Sequence, residues 1–195
     1  MLYAAYGSNL HPLRLAERTP SARLVTTSFL SDWSLHFHKL GKDGSGKCNI
    51  ISGSGGVHVA IFDISAEDKL ALDKIEGLGS GYSELLLTIP GIGECASYTA
   101  QETHIDITLV PYDWYRELVL MGARVHGFPN NYLDRINSRP VCRDRDLGRR
   151  GEAWKTVEMI KSDGKHRSAS GRKLQGLRWS EFDAKDCRGA RGLER

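Results

Sequence analysis

Ser65-Ala66-Glu67-Asp68-Lys69-Leu70-Ala71-Leu72-Asp73-Lys74-Ile75-Glu76-Gly77 is the stretch on which the fold class turns. Ser65 with Asp68 three residues on fits a capping box using the shorter acid. Leu72 and Ile75 continue an apolar stripe, and Gly77 supplies the stop. One helix over 65–76 is therefore predicted, standing between two groups of strands. Upstream, runs rich in β-branched and aromatic residues predict strands over 2–6, 23–30, 33–40, 48–52 and 57–64, with turn signals at Ser31-Asp32 and at Gly53, Gly55 and Gly56. His11 to Arg18, with Pro12 at an entry position, reads as a short helix. Downstream, strands are expected over 83–89 and 95–101, then a helix over 112–125 and a further helical turn or two over 131–136. Strands, one helix, more strands and then helices make no βαβαβ alternation. The pattern predicts an α+β fold: a mixed, curled β-sheet or small β-barrel with flanking helices.

Composition agrees with a globular chain of 195 residues, 40% hydrophobic and 26% charged. No apolar run approaches the ~20 residues of a membrane-spanning helix, so no membrane association is expected. Met1 to Tyr6 is short, apolar and uncharged, a strand signature rather than a signal peptide. The formal charge of +3 conceals two unlike parts. Residues 1–142 hold 12 Lys and Arg against 15 Asp and Glu, whereas residues 143–195 hold 15 against 9. The expected organisation is a domain over 1–142 and a basic C-terminal extension over 143–195. In that extension Trp154, Val157 and Ile160 recur at near-helical spacing, while 163–173 reads as mobile. Acidic residues dilute the basic ones and aromatics are few, a poor stripe for nucleic acid, and none is expected as a partner.

Two motifs invite chemistry and fail on context. Gly41-Lys42-Asp43-Gly44-Ser45-Gly46-Lys47-Cys48 matches G-x-x-x-x-G-K, but Cys48 stands where a P-loop needs a hydroxyl, and a strand follows where a helix is required. A polar hairpin connection is expected instead. His36 and His38 could share a strand face, with His58 on a nearby strand, yet no carboxylate or cysteine stands at convincing ligand spacing, so no metal is expected. Cys48, Cys95, Cys142 and Cys187 form no C-x-x-C pair, which predicts reduced thiols and a cytoplasmic setting.

Tyr6-Gly7-Ser8-Asn9-Leu10 turns from a strand into a helical entry. Such a turn exposes backbone N–H groups and can receive a carboxylate or a developing oxyanion. Glu76 closes the central helix beside its apolar stripe. There the macrodipole disfavours an anion by roughly 0.3–1 kcal/mol, and Asp73, three residues back, adds like-charge repulsion. A carboxyl so placed suits proton exchange. Taken alone, the loop reads equally as a helix-capping turn, and Glu76 as a solvated residue at a helix end.

Together, the 6–10 loop and Leu72-Asp73-Lys74-Ile75-Glu76-Gly77 resemble the gamma-glutamylcyclotransferase family. Further matches follow in order. Gly77 to Tyr82 is similar to the segment that carries the family from its catalytic glutamate to a tyrosine, one residue shorter here. Tyr115 to Ala123 resembles the late helix, and Gly127-Phe128-Pro129 with Tyr132-Leu133 the segment after it. The resemblance covers about residues 1–137 and nothing in 143–195.

What it implies is a cofactor-free cyclisation of a small gamma-glutamyl amide, whose own α-amino group attacks its γ-carbonyl to release 5-oxoproline and an amine. Glu76 would be base and then acid. The backbone of Tyr6, Gly7, Ser8, Asn9 and Leu10 would hold substrate, and Tyr82 and Tyr115 would line the pocket. The late helix resembles the branch acting on gamma-glutamyl amino acids or peptides. A gamma-glutamylamine of the isopeptide type is the nearest alternative, and a non-catalytic binding protein on the same fold is a different class of answer. A homodimer is expected only at the level of the family.

Overall fold

The computed structural model describes residues 1–169, with side chains through Ser162. In chain order, strand β1 (Leu2–Ala5) leads through a 3-10 turn (Ser8–Leu10) to helix α1 (Pro12–Ala16). Strands β2 (Arg23–Leu30), β3 (Trp33–Leu40), β4 (Gly46–Ser52) and β5 (Val57–Asp63) follow. Helix α2 (Ala66–Glu76) then precedes β6 (Tyr82–Ile89) and β7 (Gly93–Ala100). A second 3-10 turn (Glu102–His104) leads to α3 (Asp113–Val125), α4 (Asn130–Asn137) and α5 (Leu147–Ala169).

The expected α+β fold holds. A five-stranded mixed sheet runs β2-β5-β1-β7-β6, with β1 and β7 parallel and its other pairs antiparallel, and β3 with β4 forms a separate hairpin. Fully buried Asn49 joins the hairpin to the sheet. Its Oδ1 accepts the Ala100 amide at 2.8 Å, and its Nδ2 meets His38 Nε2 at 3.0 Å. A side-chain amide thus ties the hairpin to β7, where strand pairing does not.

Local signals set most element ends. Ser65 caps α2, its Oγ accepting the Asp68 amide at 3.1 Å, and Gly77 closes the helix at φ +74°, where a side chain would be strained. The helix expected over 11–18 is shorter, covering Pro12–Ala16, and a separate 3-10 turn at Ser8–Leu10 precedes it. His11 precedes proline and is extended (φ −75°, ψ 123°), which ends the 3-10 turn and lets α1 begin at Pro12.

The 41–48 segment is the expected hairpin connection: Gly44 takes φ +80°, and Lys47 Nζ pairs with Asp43 at 2.7 Å. In the extension, α5 runs through Ala169, so the stretch expected to be mobile begins inside a helix, and 170–173 lie outside the described residues. Packed on α3, α5 buries Val157 and Ile160 in the main core. Their apolar side chains supply the driving force that the charged composition of the extension conceals. Reduced thiols hold for buried Cys48 and Cys95, whereas Cys142 is disulfide-bonded.

Candidate active site

The sheet register brings the two notable sequence features together. β1 and β5 are antiparallel, with Leu2 opposite Asp63 and Ala5 opposite Ala60, so α2 starts beside the beginning of β1. Its 11 residues run ~16 Å back over the sheet. Glu76 therefore arrives beside the end of β1, where the chain turns through Gly7 to Asn9.

Asn9 Nδ2 donates to Glu76 Oε1 and to Tyr3 Oη, both at 3.0 Å. Arg18 Nη1 donates to the same Glu76 oxygen at 2.9 Å and to Asn9 Oδ1 at 3.1 Å. Asp73, read above as a repelling neighbour, is held elsewhere. Its Oδ1 accepts from Lys69 Nζ and, at 2.7 Å, from Tyr98 Oη, and Lys69 also pairs with Glu84 at 2.9 Å. Arg18 and Asn9 thus hold the Glu76 side chain in place at the C-terminal end of α2.

A small cavity opens at this point, lined by Tyr3, Tyr6, Gly7, Ser8, Asn9, Cys48, Glu76, Tyr82, Tyr98 and Tyr115. The hydroxyls of Tyr6, Tyr82 and Tyr115 are pinned to neighbouring backbone. Tyr6 Oη donates to Tyr98 O at 2.7 Å, Tyr82 Oη donates to Cys48 O at 2.6 Å, and Tyr115 Oη accepts the Cys48 amide at 3.1 Å. Burial pushes all three phenols well above their usual range, so they are neutral hydroxyls. Burial also pushes the Cys48 thiol up to about 12, which keeps it protonated and removes it as a nucleophile. Gly7 permits a close approach: a Cβ there would stand 3.1 Å from Cys48 Cβ and 3.6 Å from Tyr115 Oη.

Of the residues singled out from sequence, Tyr6, Gly7, Ser8, Asn9, Glu76, Tyr82 and Tyr115 share this cavity. Leu10 does not. It is fully buried in the core, and its amide donates to Gly7 O at 3.0 Å. Sequence reasoning assigned Asn9 through its backbone and missed the side chain that bonds Glu76. It also missed Tyr3, Tyr98 and Arg18. Tyr3 sits on the same strand as the loop and was within reach of a strand-face argument. Arg18 carried no local signal, because its partner lies 58 residues away.

The histidines read as packing groups. His36 and His38 stack with centroids 4.8 Å apart and planes at 14°, and His58 packs on Phe29, Phe128 and Tyr132. Among the described residues no group of three or more His, Cys, Asp or Glu side chains could hold a metal, and no helix is long and apolar enough to cross a membrane.

No protein-family model matches the chain. Among solved structures it resembles a gamma-glutamyl cyclotransferase with a TM-score of 0.66 at 24% identity, covering 82% of this chain and 98% of that one. An uncharacterized human protein superposes with a TM-score of 0.64 at 23% identity, covering 80% and 97%. At such identities the likeness speaks for the fold. Sequence relatives carry the assignment further. The gamma-glutamylcyclotransferases of Homo sapiens and Mus musculus are each 28% identical over 148 residues. That of Bos taurus is 32% identical over 148 residues, 70% of this chain and 77% of the bovine one. With that identity over that span, the chain belongs to the gamma-glutamylcyclotransferase family and is an enzyme of this type.

Proposed function

We propose that this enzyme cyclises gamma-glutamyl amino acids or peptides to 5-oxoproline, with Glu76 as the acid–base group. The observation that carries this reading is the meeting of the Glu76 carboxylate with the Gly7–Asn9 turn in one tyrosine-walled cavity. The substrate tethers nucleophile to electrophile, so holding it folded supplies most of the effective molarity. As the α-amino nitrogen bonds to the γ-carbon, Glu76 takes the proton that nitrogen sheds. The same proton then passes to the amide nitrogen as its bond to the γ-carbon breaks. No water is consumed, and the products are 5-oxoproline and the freed amine. Amides of the Gly7–Asn9 turn hold the substrate carboxylate and the oxyanion.

The Lys39 ammonium supports an amino-acid leaving group. It stands 4.5 Å from the Tyr82 ring centroid, is nearly buried, and has no salt-bridge partner among the described residues. Positive charge beside that wall, not paired directly with a carboxylate among the described residues, favours a leaving group that carries a carboxylate.

A panel of gamma-glutamyl amides, read out by 5-oxoproline, tests the proposal. Gamma-glutamyl amino acids should be turned over faster than a gamma-glutamylamine. Faster turnover of the amine would reassign the leaving group, and no turnover of any member would favour a binding role. Glu76→Gln should remain folded and lose the reaction, and undiminished turnover in that variant would sink the mechanism.

A further inference from the structure

All the hydrogen bonds to Glu76 among the described residues converge on one oxygen. Arg18 Nη1 and Asn9 Nδ2 both donate to Oε1, at 2.9 and 3.0 Å. The orientation of the Asn9 amide follows from its surroundings. Turned over, it would set its carbonyl against a carboxylate and its NH2 against a guanidinium. Arg18 is itself well anchored. Its amide donates to Leu15 O at 2.9 Å, and the next residue, fully buried Thr19, bonds the same carbonyl through N–H at 2.8 Å and Oγ1 at 2.9 Å. The bridge therefore ties three segments together: the end of α1, the 3-10 turn and the end of α2. Rotation of the Glu76 carboxyl about its last torsion would break both bonds to Oε1.

Resting on the reading of Glu76 as the acid–base group, we infer that Arg18 is a positioning residue that locks Glu76 Oε1 together with Asn9 and so assigns proton transfer to Oε2. Arg18 moves no proton. The α-amino nitrogen gives its proton to Oε2, and Oε2 returns it to the departing amide nitrogen. Between turnovers the guanidinium and the Asn9 amide keep the carboxyl aimed. Its side chain is 20% exposed and that of Glu76 18%, so the pair is sheltered from full solvent screening yet open to the cavity.

The test compares the full chain with Arg18→Met, Arg18→Lys and Glu76→Gln. It measures kcat and KM for gamma-glutamyl-alanine as functions of pH, alongside thermal unfolding. Arg18→Met should lower kcat ~10–100-fold while KM changes by less than about threefold, the pattern of a misaimed group. Arg18→Lys keeps the charge but not the planar fork, so it should leave kcat reduced with KM near the wild-type value. A folded Arg18→Met with the wild-type kcat overturns the inference while Glu76→Gln remains inactive. Should Arg18→Met fail to fold, Arg18→Gln takes its place under the same criterion. A fully active Glu76→Gln, or an inactive wild type, overturns instead the reading on which the inference rests.

Discussion

Asp144 and Glu76 each meet an arginine, and the two encounters differ in how much of the carboxylate they occupy. Asp144 accepts from Arg149 Nη2 at 2.6 Å and Nε at 2.7 Å, from the Asp146 amide at 3.0 Å and from the Trp114 indole at 3.3 Å. Both its oxygens are engaged, and its side chain is fully buried. Glu76 is bonded on one oxygen and remains partly open to a cavity. Burial alone would push the Asp144 carboxyl up, but Arg149, the Asp146 amide and Trp114 outweigh it and hold the group below the usual carboxylate range. Asp144 fastens the start of α5 to α3. A carboxylate whose lone pairs are all used is a joint; one with a free oxygen beside a cavity can do work.

The sharpest way to break this contrast is to neutralise each member in turn. Glu76→Gln should cut 5-oxoproline release at least ~10²–10⁴-fold, with a melting temperature within about 2 °C of wild type. Gly122→Ala should damage both properties, because a Cβ there would stand 2.4 Å from Leu10 Cβ and 2.9 Å from the His11 backbone nitrogen, behind the site turn. The expected cost is about 1–3 kcal/mol of stability, with a fall in kcat as the turn shifts. A variant with unchanged kcat would show that the turn absorbs the displacement.

Asp144→Asn should behave in the opposite way to Glu76→Gln. Losing the paired charge costs about 1–3 kcal/mol, which lowers the melting temperature by roughly 2–10 °C, while kcat per folded molecule stays the same. Lost turnover in a fully folded Asp144→Asn would dissolve the distinction. The same pair sets a pH dependence. Because the folded-state carboxyl lies below its unfolded value, its contribution is present above the unfolded range near 4 and is lost as pH falls through the folded one. Melting curves of wild type and Asp144→Asn should therefore converge in acid. The smallest effect belongs to Gly77→Ala, where φ is +74°. About 1 kcal/mol of stability should be lost, and activity should fall only as far as the end of α2 shifts Glu76.

Most element positions were legible because their causes are local. Ser65 and Gly77 mark α2 with a cap and a left-handed stop, and Pro12 marks the start of α1. The extension was less legible. α5 carries charge on most of its surface, and its contribution to the core rests on Val157 and Ile160. Removing residues beyond 142 would take that part of the core away. Within the site, the loop and Glu76 stood out by residue type, whereas Leu10 was misplaced because a turn bond from its amide is invisible in composition.

By itself the sequence determined the order of elements, the single helix between two groups of strands, and the pairing of a Tyr-Gly-Ser-Asn turn with a glutamate at a helix end. Periodicity, capping and turn chemistry act over a few residues and can be read without the fold. Only the tertiary structure decided that β1 pairs with both β5 and β7 and that α5 docks on α3. It alone brought Arg18 to Glu76 across 58 residues and Asn9 to the same oxygen across 67. Such contacts depend on strand register and chain path, which accumulate over the whole molecule and leave no mark on the residues nearby.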